Sequence, residues 1–163
     1  MYISLQEEDR IAIYTMTPKT GKLKHQGDVE LKGRPAPIAI DPEHKYLFAG
    51  QRKVDYFGMA SFSIDRKTGG LMPIGSIPLN GDPVHISTDK TGKFLLSAYY
   101  YQKTAAVHKV GDDGSLADPP VVWRETDMSR PLFFSVVCAS RGKRCKGSFV
   151  LIKSELEYSI GTG

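Results

Sequence analysis

The chain has 163 residues, 40% of them hydrophobic and 25% charged, which suffices for one domain with a substantial buried core. No run approaches the roughly 18 apolar residues of a membrane-spanning helix, and the opening MYISLQEEDR lacks the basic start and apolar stretch of a signal peptide, so a cytoplasmic location is expected. A basic nucleic-acid face is excluded too: residues 1–127 hold sixteen of the 22 Lys and Arg and sixteen of the 18 Asp and Glu, so the net charge of +4 belongs to residues 128–163.

Residues 2–5 (YISL) read as a short strand, followed by an acidic turn at Glu7, Glu8 and Asp9. Residues 11–14 (IAIY) form the next strand, and 18–21 (PKTG) a tight turn before Leu23. From Gly33 the chain reads GRPAPIAIDPEHKYLFAG, and from Gly81 it reads GDPVHISTDKTGKFLLSAYYY. Gly33, Pro35, Ile38, Asp41, Lys45 and Leu47 recur at Gly81, Pro83, Ile86, Asp89, Lys93 and Leu95, each offset by 48 residues. A fixed period in the forties built from short strands is the signature of a propeller blade. Within the unit, 84–88 (VHIST) alternates apolar and polar residues and 94–98 (FLLSA) is a more buried strand. Between them, 89–92 (DKTG) is a turn in which Asp89, like Asp41, bonds its own backbone. The strand at 60–64 and the turn at Thr68 and Gly69 repeat 12–16, Thr20 and Gly21 at the same offset. A third copy follows at 106–116, and 121–124 (VVWR) reads as an outer edge strand.

The expected fold is all-β, a partial β-propeller of about two and a half to three four-stranded blades, with almost no helix. The blades fall at about 1–32, 33–80 and 81–127, and the first lacks its opening strand. Propellers typically have about 4–8 blades, so the sequence looks like the front part of a larger ring. Open sheet edges would then invite self-association or a partner. Pro131 continues the proline series and 132–137 (LFFSVV) reads as a fourth opening strand, yet Lys143, Arg144 and Lys146 fall where a buried strand should follow. Residues 128–163 are expected to be an aberrant basic tail, such as a truncated or frame-shifted gene produces. Cys138 and Cys145 fit neither a redox pair nor a zinc site and read as plain thiols.

The phrases 83–89 (PVHISTD), 91–99 (TGKFLLSAY) and 113–116 (DGSL), supported by 36–42 (APIAIDP) and 67–71 (KTGGL), resemble the lactonase family of seven-bladed propellers, which includes 6-phosphogluconolactonase. The resemblance covers about residues 2–127. It implies hydrolysis of a phosphorylated sugar lactone, a small-molecule partner, with no nucleic acid or membrane involved. No cofactor and no metal is expected, since no cluster of His, Asp and Glu has metal-site spacing. Such hydrolysis needs a general base for water, a donor for the carbonyl oxygen, and Arg or Lys for the phosphate.

His85 is the expected catalytic residue. It lies near the start of an opening strand, where the copy one blade earlier has Pro37; the competing reading is a histidine bonding a neighbouring loop. Strict alternation would set Val84 and Ile86 on one face, with His85 and Ser87 on the other, facing the substrate beside Asp82. Tyr99, Asp82 and Arg34 are the expected substrate-binding residues. Tyr99 equally suits core packing, and Asp82 and Arg34 equally suit solvated loops. His25, His44 and His108 read as surface residues. The next histidine-bearing segment of the family reads MSRP here, at 128–131, so the chain alone is expected to be inactive. The competing expectation is a propeller-derived interaction module without catalytic activity.

Overall fold

A computed structural model describes residues 1–125. Among these residues there are eleven strands: β1 (Tyr2–Leu5), β2 (Arg10–Met16), β3 (Leu23–Glu30), β4 (Pro35–Ile40), β5 (Tyr46–Lys53), β6 (Tyr56–Ile64), β7 (Leu71–Pro78), β8 (Pro83–Thr88), β9 (Phe94–Tyr99), β10 (Thr104–Lys109) and β11 (Val122–Glu125). One 3-10 turn, Gln6–Glu8, is the sole helical element among the described residues. Each sheet is an antiparallel meander, in the orders β1-β2-β3, β4-β5-β6-β7 and β8-β9-β10-β11. The protein is all-β, with the blade-like sheets of a partial propeller. The strand expected at 132–137, the tail expected from 128 and both cysteines lie outside the described residues.

The two central strands of the middle sheet, β5 and β6, are buried on both faces, which explains the apolar run at the start of β5. On β5, Leu47 and Ala49 pack with Ile11 and Ile13 of the first sheet and with Ala60, Phe62 and Leu71. Phe48, between them, points the other way and meets Met59, Ile86, Leu95 and Val110, joining the second sheet to the third. Burying one such aliphatic or aromatic side chain contributes about 1.5–3 kcal/mol. Face-to-face packing of sheets therefore holds the blades together.

Aspartates shape the turns at the far end of the hairpins. The Asp41 carboxylate accepts from the backbone N–H groups of Glu43 (3.0 Å), Lys45 (2.6 Å) and Tyr46 (2.6 Å). Asp89 repeats the pattern, accepting from the N–H groups of Thr91 and Phe94, each at 3.0 Å. These are the backbone-mimicking turns for which aspartate is suited.

His108 departs from its sequence expectation. It is 1% exposed on β10, on the same face as the buried Ala106 and Val110, instead of lying on the surface. Its Nδ1 donates to the Ala117 carbonyl at 3.0 Å, so Nε2 carries the lone pair, and that buried nitrogen has no hydrogen-bond partner. Burial pushes the imidazole below its usual range, against smaller opposing effects of Ala117 and Asp118. A depressed native pKa means that the unfolded chain binds the proton more readily, so stability is present above the unfolded value near 6.5 and is lost as pH falls. Urea unfolding between pH 7.5 and 5 should show stability declining by at most about 1.4 kcal/mol per pH unit for this group. His108→Gln should flatten that slope. An unchanged slope in the variant would show that His108 titrates normally.

Candidate functional site

The strand registers place all the blade-linking loops and one set of hairpin turns at a single end of the sheets, here termed the mouth. Pro35 pairs with Gln51 at the end of β5, and Pro83 with Tyr99 at the end of β9. The inner strands β4 and β8 are neighbours, tied by the Thr88 hydroxyl donating to the Ile40 carbonyl at 3.2 Å. Gly50 permits this approach: a Cβ there would lie 2.9 Å from Pro83 Cγ and 3.0 Å from the Ala36 carbonyl. Pro83 thus seats against the preceding blade and sets where β8 begins.

Two residues beyond Pro83 stands His85. The register passes from Pro83↔Tyr99 to His85↔Ala98, which leaves Val84 as the extra residue of a β-bulge. The same irregularity occurs between Pro35 and Ile38 in β4. Bulges re-aim side chains and are frequent beside active sites. The bulge corrects the simple alternation expected for 84–87: pairing is regular only from His85 onward, with Ile86 buried against the second sheet. His85 is partly buried, and desolvation lowers its pKa, so the imidazole is neutral at pH 7 and able to accept a proton.

The other three expected residues take separate positions. Asp82 directly precedes Pro83, and both its oxygens are engaged by Arg52 of β5, Nε to Oδ1 at 2.5 Å and Nη2 to Oδ2 at 2.7 Å. Its carboxylate is only 13% exposed, so this bidentate pair clamps the loop. Arg34 occupies the equivalent position one blade earlier. Its N–H donates to Asp9 Oδ1 at 2.7 Å, and its guanidinium pairs with Glu7. The two junctions share a design with inverted sign: the residue before the proline is basic and held by acids in one, acidic and held by a base in the other.

Tyr99 does not line the mouth. It is 2% exposed and turned towards the second sheet, accepting at 2.8 Å from the Ser97 hydroxyl, and burial raises its pKa. With His108, Leu79 and Asp118 it borders a cavity of about 60 Å³. The β8–β9 pairing therefore keeps Asp82 and His85 at the same end of the third sheet and sends Tyr99 inward. Sequence reasoning missed Arg52, which has no repeat partner; its signal was only its place at the mouth end of a strand. Among the described residues no group of three or more His, Cys, Asp or Glu is placed to hold a metal ion. No helix among them is long and apolar enough to cross a membrane.

The sequence profile of the family described as lactonase, 7-bladed beta-propeller, matches residues 1–131. This chain belongs to the lactonase family. Among curated proteins none matches its sequence. Among solved structures the lactonase chain is similar to a candidate 6-phosphogluconolactonase from Bacteroides fragilis, with a TM-score of 0.69 at 20% identity, over 77% of this chain and 36% of that one. A second candidate 6-phosphogluconolactonase, from Bacteroides uniformis, gives 0.66 at 24%, over 76% and 39%. The periplasmic gluconolactonase of Pseudomonas aeruginosa gives 0.68 at 16%, over 77% and 36%. At these identities the likeness is one of fold, and the lactonase chain spans little more than a third of the length of each relative.

Proposed function

We propose that these sheets supply the first blades of a hydrolase acting on a phosphorylated sugar lactone, with His85 as the general base. The observation that carries this reading is the bulge at Val84, which sets a neutral imidazole on an inner strand at the mouth, just after the loop held by the Arg52–Asp82 pair. In the reaction a ring nitrogen of His85 takes a proton from water as its oxygen bonds to the lactone carbonyl carbon. The tetrahedral intermediate collapses by breaking the bond to the ring oxygen, which accepts the proton and leaves as a hydroxyl. Blades beyond the three described close the channel and complete the pocket, so the full rate belongs to the ring. Family membership supports the reading, as do the names of the first two structural relatives.

The test is the decay of 6-phosphogluconolactone, measured above its spontaneous hydrolysis. The 163-residue chain would be assayed alone and joined to the remaining blades of the Bacteroides uniformis protein. Catalysis by the joined ring, and little by the chain alone, is the expected result. A joined ring that folds and leaves the spontaneous rate unchanged would overturn the proposal.

A further inference from the structure

The turn between β9 and β10 presents two aromatic side chains to solvent at the mouth. Tyr100 is 62% exposed and Tyr101 is 74% exposed. Their rings meet edge to face, with centroids 5.6 Å apart and planes at 84°, so each limits the motion of the other. The turn is also pinned to the blade junction. A Cβ on Gly81 would lie 2.6 Å from Gln102 Cδ, so Gln102 seats directly on the residue that precedes Asp82. Asp82 in turn holds Arg52 through Nε and Nη2, and Arg52 Nη1 makes no hydrogen bond to the described residues. The Arg52 side chain is 26% exposed, and Tyr101 is close enough to act on it electrostatically. Exposed rings and a half-used guanidinium thus flank the same blade junction, marked by the pair Pro83↔Tyr99.

We propose that Tyr100, Tyr101 and Arg52 form a positioning subsite at the mouth, in which a pyranose ring lies against the tyrosines while Arg52 Nη1 takes its phosphate. This deepens the lactone-hydrolase reading and rests on it. One face of a pyranose carries mainly C–H groups, which suit an aromatic surface, and its hydroxyls remain in water. Guanidinium is the preferred side-chain group for phosphate, and one already oriented by a carboxylate loses little freedom on binding. Aromatic contact alone would accept any such ring. The cation supplies the selection for a phosphorylated one.

Binding to the intact 163-residue chain tests this, with glucose 6-phosphate, glucose and inorganic phosphate as stable probes followed by calorimetry and amide chemical shifts. Glucose 6-phosphate should bind at least about tenfold more tightly than either glucose or phosphate, a difference of about 1.4 kcal/mol. Tyr101→Ala should weaken it about tenfold, Tyr101→Phe should restore it, and Arg52→Lys should reduce the preference over glucose. Tyr101 is exposed, so its substitution leaves the core intact, which an unchanged unfolding midpoint checks for both tyrosine variants. Equal binding of the three probes, wild-type affinity in Tyr101→Ala, or no binding at all would overturn the subsite. Any of these beside a joined ring that hydrolyses lactone would leave the hydrolase reading standing, whereas a ring without catalysis removes that reading independently.

Discussion

Phe48→Ala is expected to destabilise the folded chain by about 3–5 kcal/mol, a large share of the stability of a domain this size. Phe48 is 0% exposed and lies at the centre of the contact between the second and third sheets, against Met59, Ile86, Leu95 and Val110. Truncation removes its burial and leaves a void lined by residues of two sheets, whose own strand pairing prevents them from collapsing into it. The loss should appear in urea unfolding as a lower midpoint with an unchanged slope. Met72→Ala, at a site 65% exposed on β7, should change stability by less than about 0.5 kcal/mol and serves as the comparison. A loss below about 1 kcal/mol in Phe48→Ala would mean that the second and third sheets do not share a core.

The second large effect concerns chemistry. In the joined seven-bladed ring, His85→Ala should lower lactone hydrolysis by about 10²-fold or more if its imidazole takes the proton of the attacking water. The unfolding midpoint should move little, since His85 is only partly buried and belongs to neither apolar core. His85→Gln, which keeps polarity without basicity, should be nearly as slow as His85→Ala. A rate restored by glutamine would make His85 a positioning residue, and a rate lost only in step with folded protein would make it structural. The pH profile gives a further check: with a depressed pKa, activity should fall on the acidic side only below the ordinary histidine range.

The blade architecture was legible because the repeat carries it. Six residue pairs at one offset, including the proline that opens each inner strand, identify equivalent strands without any knowledge of packing. The two-faced burial of β5 was legible as well, in the run from Leu47 to Ala49. What alternation could not reveal was the bulge at Val84, because both copies contain it and the offset stays constant through it. His108 was misread for a related reason. Its place in an outer strand suggested the surface, whereas the inward phase of that strand runs through Thr104, Ala106, His108 and Val110. Tyr99 suited two readings, and the phase of β9 decided between them by pairing it with Leu95 and Ser97 on the buried face. The ion pairs at the mouth join residues 27 and 30 positions apart, a separation that no local pattern encodes.

The opposite polarity of the two blade junctions has a consequence for how the chain reaches its native order. Sheets built from near copies of one sequence can dock on the wrong neighbour during folding, a common failure of repetitive proteins. If the third sheet docked directly on the first, Asp82 would face Glu7 and Asp9, carboxylate against carboxylate. That stacking would set like charges together at a junction where the Asp82 carboxylate is natively only 13% exposed. The opposite signs of the Arg34–Glu7 and Asp82–Arg52 pairs thus disfavour docking of the third sheet on the first, a misassembly that blades of nearly the same shape would otherwise invite.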